Sequence, residues 1–201
     1  GYVYCLDAAS GGLIWKYKAN SQTDMIVGNG RMISVWPVRT SIIVQNNTVF
    51  FGAGIFPLEG VYLGALQADH GTVIWQKTIS DSPQGYLLSA ANSLFLPTGN
   101  TNPAVYSAVT GEKRGSFSQG RSGGTYALIV DDKLVSGPGY SETGSNWLHT
   151  YNTASRARVA SFQGNHVIVA ASRSFLHTDD ALTAIDRDIY FKTNAREIDL
   201  Q

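Results

Sequence analysis

A single cysteine, Cys5, stands in a chain of 201 residues. That excludes an intrachain disulfide, a Cys-x-x-Cys-His haem attachment and any zinc cage built on cysteines. Charge is also scarce. Asp, Glu, Lys and Arg together make up 15% of the chain, against roughly a quarter of an average soluble domain. The two signs balance at 15 residues each, for a net charge of zero. The basic excess that draws a protein onto nucleic acid is absent, so no nucleic-acid partner is expected. No apolar run approaches the roughly 18 residues that a membrane-spanning helix needs. No signal peptide is visible either. The chain opens on Gly1-Tyr-Val-Tyr-Cys-Leu-Asp, which already reads as a strand, and the expectation is a piece of a longer polypeptide.

Aromatic residues are 11% of the chain and 21 residues are glycine. Many aromatics with many glycines and little charge suit an all-β protein with frequent tight turns. Internal repeats organise it. Leu6-Asp-Ala-Ala-Ser-Gly-Gly-Leu-Ile-Trp15 and Leu66-Gln-Ala-Asp-His-Gly-Thr-Val-Ile-Trp75 align without a gap at an offset of 60. Tyr106-Ser-Ala-Val-Thr-Gly follows at an offset of 40, Tyr151-Asn-Thr-Ala-Ser-Arg at 45, and Ile185-Asp-Arg at 34. A second set of hairpin-like segments alternates with the first. Its equivalent positions are Val49, Leu94, Leu134 and Phe175, at offsets of 45, 40 and 41. Each has two apolar runs around a short polar turn, the mark of a hairpin.

Two hairpins in alternation make a unit of four strands and about 40–45 residues, the grammar of a β-propeller blade. The predicted fold is all-β: about four and a half blades of four antiparallel strands in one partial propeller. Residues 1–19 supply an outer half-blade (strands C and D), and blades follow at 37–79, 84–118, 123–162 and 164–201. A chain opening in mid-blade leaves a sheet edge that invites pairing. The expected partner is the remainder of the same propeller or another protein chain.

The run Val3-Tyr-Cys-Leu-Asp-Ala-Ala-Ser-Gly-Gly-Leu-Ile-Trp15 resembles the repeat of pyrroloquinoline-quinone (PQQ) proteins, and Leu66 to Trp75 resembles it nearly as well. The resemblance implies a propeller, often of eight blades, in which the glycine permits the C–D turn and the tryptophan docks between neighbouring blades. Trp15 and Trp75 match that docking role. The third and fourth copies carry Gly115 and Ala160 at the tryptophan position, with Phe117 and Phe162 just beyond as substitutes. Members of this group include quinoprotein alcohol and sugar dehydrogenases, outer-membrane assembly scaffolds and secreted bacterial proteins of unknown role. The resemblance therefore implies a periplasmic, cell-envelope or extracellular location and leaves activity open.

A quinoprotein site needs a calcium ion held by carboxylates and an amide, a catalytic Asp and an aromatic floor. No such set matches here. Asn100, Asp179 and Asp180 are the nearest polar candidates, and turn-capping explains them better. His70 sits in a C–D turn. His149 is present without a reading of its own; His166 and His177 lie at the ends of successive strands and could approach each other as a two-His metal site, but pairing with backbone groups is the better reading. The glycine pairs at 28–30, 52–54 and 137–139 lead into no helix, so they are turns and not phosphate cradles. No catalytic residue, no metal and no cofactor are expected in these residues, with PQQ and Ca2+ confined to a complete protein.

One feature exceeds the repeat. The first offset is longer than the others because residues 20–36 are inserted between a strand D and the next strand A. Long loops on rigid scaffolds often carry function. In this kind of propeller the D–A and B–C loops gather around the central channel. The predicted ligand-binding positions there are Arg31, Trp36, Arg39, Gln84, Tyr86, Asn100, Tyr126, Asn165 and His166. The expected role is a non-catalytic binding or assembly scaffold; the alternative is part of a PQQ-dependent dehydrogenase for alcohols or sugars.

Overall fold

The turns decide where the strands end. In the computed structural model, Asn46 and Asn47 both have positive φ (50° and 57°), as do Ala91 and Asn92 (46° and 59°). Two consecutive left-handed residues make the turn whose twist matches flanking antiparallel strands. The other hairpin closes differently. Its first residue accepts a backbone bond from the fifth and donates one to the sixth: Gly11 to Asp7 (2.8 Å), Gly71 to Gln67 (2.9 Å), Gly111 to Ser107 (2.9 Å) and Arg156 to Asn152 (2.9 Å). Short polar side chains at the first position reinforce it. Asp7 accepts from the Ala9 and Ser10 amides, and Asn152 from those of Ala154 and Ser155.

The structure describes every residue except 29, 100, 118–125, 138–145 and 187–201. The described residues form six sheets, several of them four-stranded and antiparallel. The half-blade pairs β1 (Tyr2–Leu6) with β2 (Leu13–Lys18). The inserted residues form a hairpin of β3 (Met25–Gly28) and β4 (Arg31–Ser34), where a loop was expected. Its period-2 pattern buries Ile26 and Ile33 further than Val27 and Met32, and alternation of that kind builds a strand pair. The next sheet is β5 (Ile43–Gln45), β6 (Thr48–Ala53), β7 (Val61–Gln67) and β8 (Val73–Ile79), in chain order. Then come β9 (Leu88–Ala90), β10 (Ser93–Leu96), β11 (Ala104–Ser107) and β12 (Lys113–Ser116). The fourth is β13 (Ala127–Val130), β14 (Lys133–Ser136), β15 (Trp147–Asn152) and β16 (Arg158–Gln163). The last has three described strands, β17 (His166–Val169), β18 (Arg173–His177) and β19 (Leu182–Asp186).

The chain divides into two compact units. One is Gly1–Leu96 with Val105–Arg114; the other is Pro97–Ala104 with Gly115–Gln201. In the first, Val3, Val49, Phe51, Ala53 and Leu66 close a core between the half-blade and the β5–β8 sheet, with Trp15 and Tyr17 packed against it. In the second, Val135, Leu148, Val167 and Leu176 do the same between the β13–β16 and β17–β19 sheets. Both cores lie between sheets, which is how stacked blades remove their faces from water.

Candidate functional site

The joints between blades come first, because they hold the loops in place. The Trp15 indole N–H donates to the Ala68 carbonyl at 2.7 Å, in the C–D turn of the following sheet. The Trp75 indole does the same to Ala108 at 3.1 Å. Each ring lies against the glycine of that turn. A Cβ on Gly71 would stand 2.6 Å from the Trp15 ring, and one on Gly111 2.5 Å from Trp75. Those glycines therefore answer two demands, a φ near +70° and the flat approach of an indole. Within the second unit the pair is exchanged. Gly115 stands where the tryptophan would be, Arg156 takes the left-handed turn position (φ 61°), and the Arg156 guanidinium lies over Gly115. The bulky partner has moved from strand to turn. Phe117 packs on Tyr151 at 4.9 Å in the same joint.

The predicted site residues fall into separate groups. In the first unit, Arg39 and Gln84 meet. The guanidinium donates to Gln84 Oε1 at 2.9 Å. They sit on two successive D–A links joined by a parallel bridge between Thr40 and Gly85, with Ser41 N–H to Gly85 O at 2.9 Å and Gly85 N–H to Arg39 O at 3.2 Å. Gly52 lies under this crossing, where a Cβ would meet Pro83 at 2.7 Å and Thr40 at 2.8 Å. Tyr86 follows directly and is 55% exposed. Trp36 does not join them. It is buried, its indole donates to the Glu59 carbonyl at 2.9 Å, and it anchors the base of the β3–β4 hairpin. Arg31 is exposed at the hairpin tip, facing Gly28.

In the second unit, Tyr126, Asn165 and His166 come together. Tyr126 donates to the Val167 carbonyl, and its ring meets His166 edge-on at 5.3 Å. His166 is the register partner of His177, with ring centroids 6.1 Å apart. Asn165 donates to Asp179 Oδ1 at 2.6 Å and accepts from the Asn146 amide. His149 is elsewhere, half-buried with Nδ1 2.8 Å from Ser161 Oγ. Burial, then the nearby Arg158 charge, holds its pKa below the ordinary imidazole value. Asn100 lies outside the described residues.

The sequence reading missed one polar knot. Tyr106, buried in β11, donates to Asp81, which Lys113 also meets at 2.7 Å. Burial, then the Asp81 carboxylate, pushes the phenol pKa well up. Tyr106 takes the place that Leu66 holds in the preceding repeat, and that polar handle at an apolar position was the available signal. Among the described residues no group of three His, Cys, Asp or Glu side chains is placed to hold a metal ion. Trp36, turned into the core, presents no ring to an open face. No helix of the described residues is long and apolar enough to cross a membrane.

The chain is 30% identical over 94 residues to the quinoprotein alcohol dehydrogenase PedH of Pseudomonas putida, a stretch covering 44% of this chain and 13% of that enzyme. Its fold is similar to crystallised BamB from Moraxella catarrhalis (13% identity, TM-score 0.58, 93% of this chain and 56% of that one). The computationally designed Ika8 protein is also similar (10% identity, TM-score 0.60, 91% and 52%), as is a europium-containing methanol dehydrogenase (18% identity, TM-score 0.52, 67% and 26%). At such identities the structural likeness shows the fold, a β-propeller of four-stranded blades. The chain spans little more than half of the first two solved chains and 13% of PedH. A family model described as outer membrane protein assembly factor BamB matches residues 1–188, and the chain belongs to that family of PQQ-like propeller repeats.

Proposed function

We propose that these blades form a non-catalytic scaffold, a binding or assembly module of the bacterial envelope or the exterior, whose first partner is the remainder of the same propeller. One observation carries this reading. The polar side chains of the candidate positions are bonded to one another, Arg39 to Gln84 and Asn165 to Asp179, while Tyr86 and His166 stay exposed beside them. Within each unit, a bonded polar pair beside an exposed ring suits a contact surface better than a catalytic centre. The family described as an outer-membrane assembly factor supports the same reading. Deleting the gene should lower folded outer-membrane proteins in the envelope fraction, and a Tyr86→Ala/His166→Ala copy should fail to restore them. An unchanged envelope would overturn the proposal.

A second reading rests on the likeness to PedH. Here the blades are the structural part of a PQQ-dependent dehydrogenase of alcohols or sugars, with PQQ and Ca2+ held in another part of the polypeptide. A quinone absorption band and alcohol oxidation by the complete protein with added PQQ and Ca2+ would favour it over the scaffold.

A further inference from the structure

One pair of facing sheets is not filled. Trp15 and Trp75 stand opposite Cys5 and Ala65 in register, and each reaches the turn of the following sheet. In β16 the same place belongs to Ala160, opposite Thr150. Two side chains have changed together. The large ring is gone, and a hydroxyl stands where Cys5 and Ala65 have none. Phe162, two residues on, reaches the gap without closing it. A cavity of about 40 Å³ remains between the β13–β16 and β17–β19 sheets, walled by Val135, Phe162, Val167, Leu176 and Ile185 with Thr150.

Thr150 is 2% exposed, and its Oγ1 has no hydrogen-bond partner among the described residues. Its backbone pairs with β14 on one side and β16 on the other, so the hydroxyl is the group left over. An unpaired buried hydroxyl is destabilising, and Ala65 at this place in the second repeat avoids it. Water is a poor partner here. A buried water usually makes about three hydrogen bonds, and the wall around Thr150 is aliphatic and phenyl. The other polar side chains of the lining stand beside the A–B turns. There the Lys133 ammonium is held by Asp132, and Ser174 is half-buried.

Size and the lone hydroxyl together define an occupant. At about 10–15 Å³ for each water-sized group, the cavity has room for roughly three or four non-hydrogen atoms. Its wall favours an uncharged, apolar body. Thr150 has one proton to donate. A ligand with an acceptor and no donor takes that proton and leaves no donor unpaired. With an alcohol, two hydroxyl protons share one contact and one of them stays unpaired. We propose that this cavity binds a small neutral carbonyl compound of the short-chain ketone class. Its oxygen accepts from Thr150 Oγ1, and its alkyl groups lie against Val135, Val167 and Leu176. This goes beyond the scaffold reading and does not rest on it.

The test is methyl NMR of the complete polypeptide, following Val135, Val167 and Leu176, with three probes of one shape. Acetone presents an acceptor, 2-propanol an acceptor with a donor, and 2-methylpropene neither. Acetone should shift these methyl signals and bind roughly 3–10-fold more tightly than the other two, the worth of one net hydrogen bond. In Thr150→Val the lead of acetone should vanish. Ala160→Trp, which restores the ring of the other joints, should abolish the shifts from all three. No shift from any probe at its solubility limit overturns the site and leaves the cavity to water. Shifts that persist in Ala160→Trp place the binding elsewhere and overturn it too. A preference for acetone that survives Thr150→Val overturns the role of the hydroxyl, and equal binding of acetone and 2-propanol overturns the ligand class. Should Ala160→Trp fail to fold, the three-probe comparison between the unaltered protein and the near-isosteric Thr150→Val decides. The envelope phenotype of the scaffold reading is unaffected by any of these results.

Discussion

Exchanging the Trp75–Gly111 joint for the arrangement seen at Gly115–Arg156 tests the account of how blades are held. Trp75→Gly alone removes a half-buried indole that donates to Ala108 and meets Phe50 at 6.1 Å. A fully buried aromatic costs about 3–5 kcal/mol on truncation, so the half-buried ring should cost about 2–3. Gly111→Arg alone drives a Cβ to 2.5 Å from the ring. Overpacking costs about 1–3 kcal/mol, and a non-glycine residue at φ +72° adds about 1. If the sites were independent, the double variant would lose about 4–7 kcal/mol. Arg156 shows that an arginine can occupy this turn and cover a glycine on the neighbouring strand. The double variant should therefore lose only about 2–3, a favourable coupling of about 2 kcal/mol or more. Urea denaturation of the four proteins reads it directly. Additivity within about 0.5 kcal/mol would refute the exchange.

Three other outcomes are expected. Stability should fall as the pH drops through the ordinary histidine value of 6.5. His149 is harder to protonate in the folded protein, so the unfolded state binds more protons there; the stabilisation is whole above that value and is lost as pH falls toward the folded pKa. His149→Asn should flatten the slope of urea midpoint against pH, and an unchanged slope would assign it to other groups. Thr150 lines the apolar cleft between the β13–β16 and β17–β19 sheets with Val135, Phe162 and Val167, and its buried hydroxyl has no partner among the described residues. Ala65 and Val105 hold this place in earlier repeats, so Thr150→Val should raise stability by up to about 1 kcal/mol in thermal melts; destabilisation would mean that the hydroxyl is satisfied. Tyr106→Phe should cost about 1–2 kcal/mol by denaturation, since Asp81 loses its buried donor and keeps only Lys113. A neutral result would show that the Lys113 pair alone suffices.

The blade grammar was legible in the chain because its signals are local. Paired apolar runs around polar turns, Asn-Asn at the first hairpin and the recurring turn glycines all act within a few residues, so Leu6–Trp15 and Leu66–Trp75 announce the same hairpin without reference to anything distant. The insert was legible as an insert, since it breaks the repeat length, but its becoming a hairpin depends on Trp36 docking under Glu59, 23 residues away. The candidate positions were harder. Arg39 and Gln84 are joined only once successive sheets stack, Asn165 and Asp179 only once β17 and β18 pair, and the role of Trp36 turns on a partner 23 residues away.

By itself, the sequence determined strand order, turn chemistry and the four-strand repeat, because backbone sterics and short-range hydrogen bonds settle those locally. Tertiary structure alone decided which glycine lies under which indole and the exchange of Trp–Gly for Gly–Arg. Those depend on residues 36 to 56 positions apart in the chain meeting face to face. No local pattern encodes whether such a meeting leaves a side chain packed, exchanged or open.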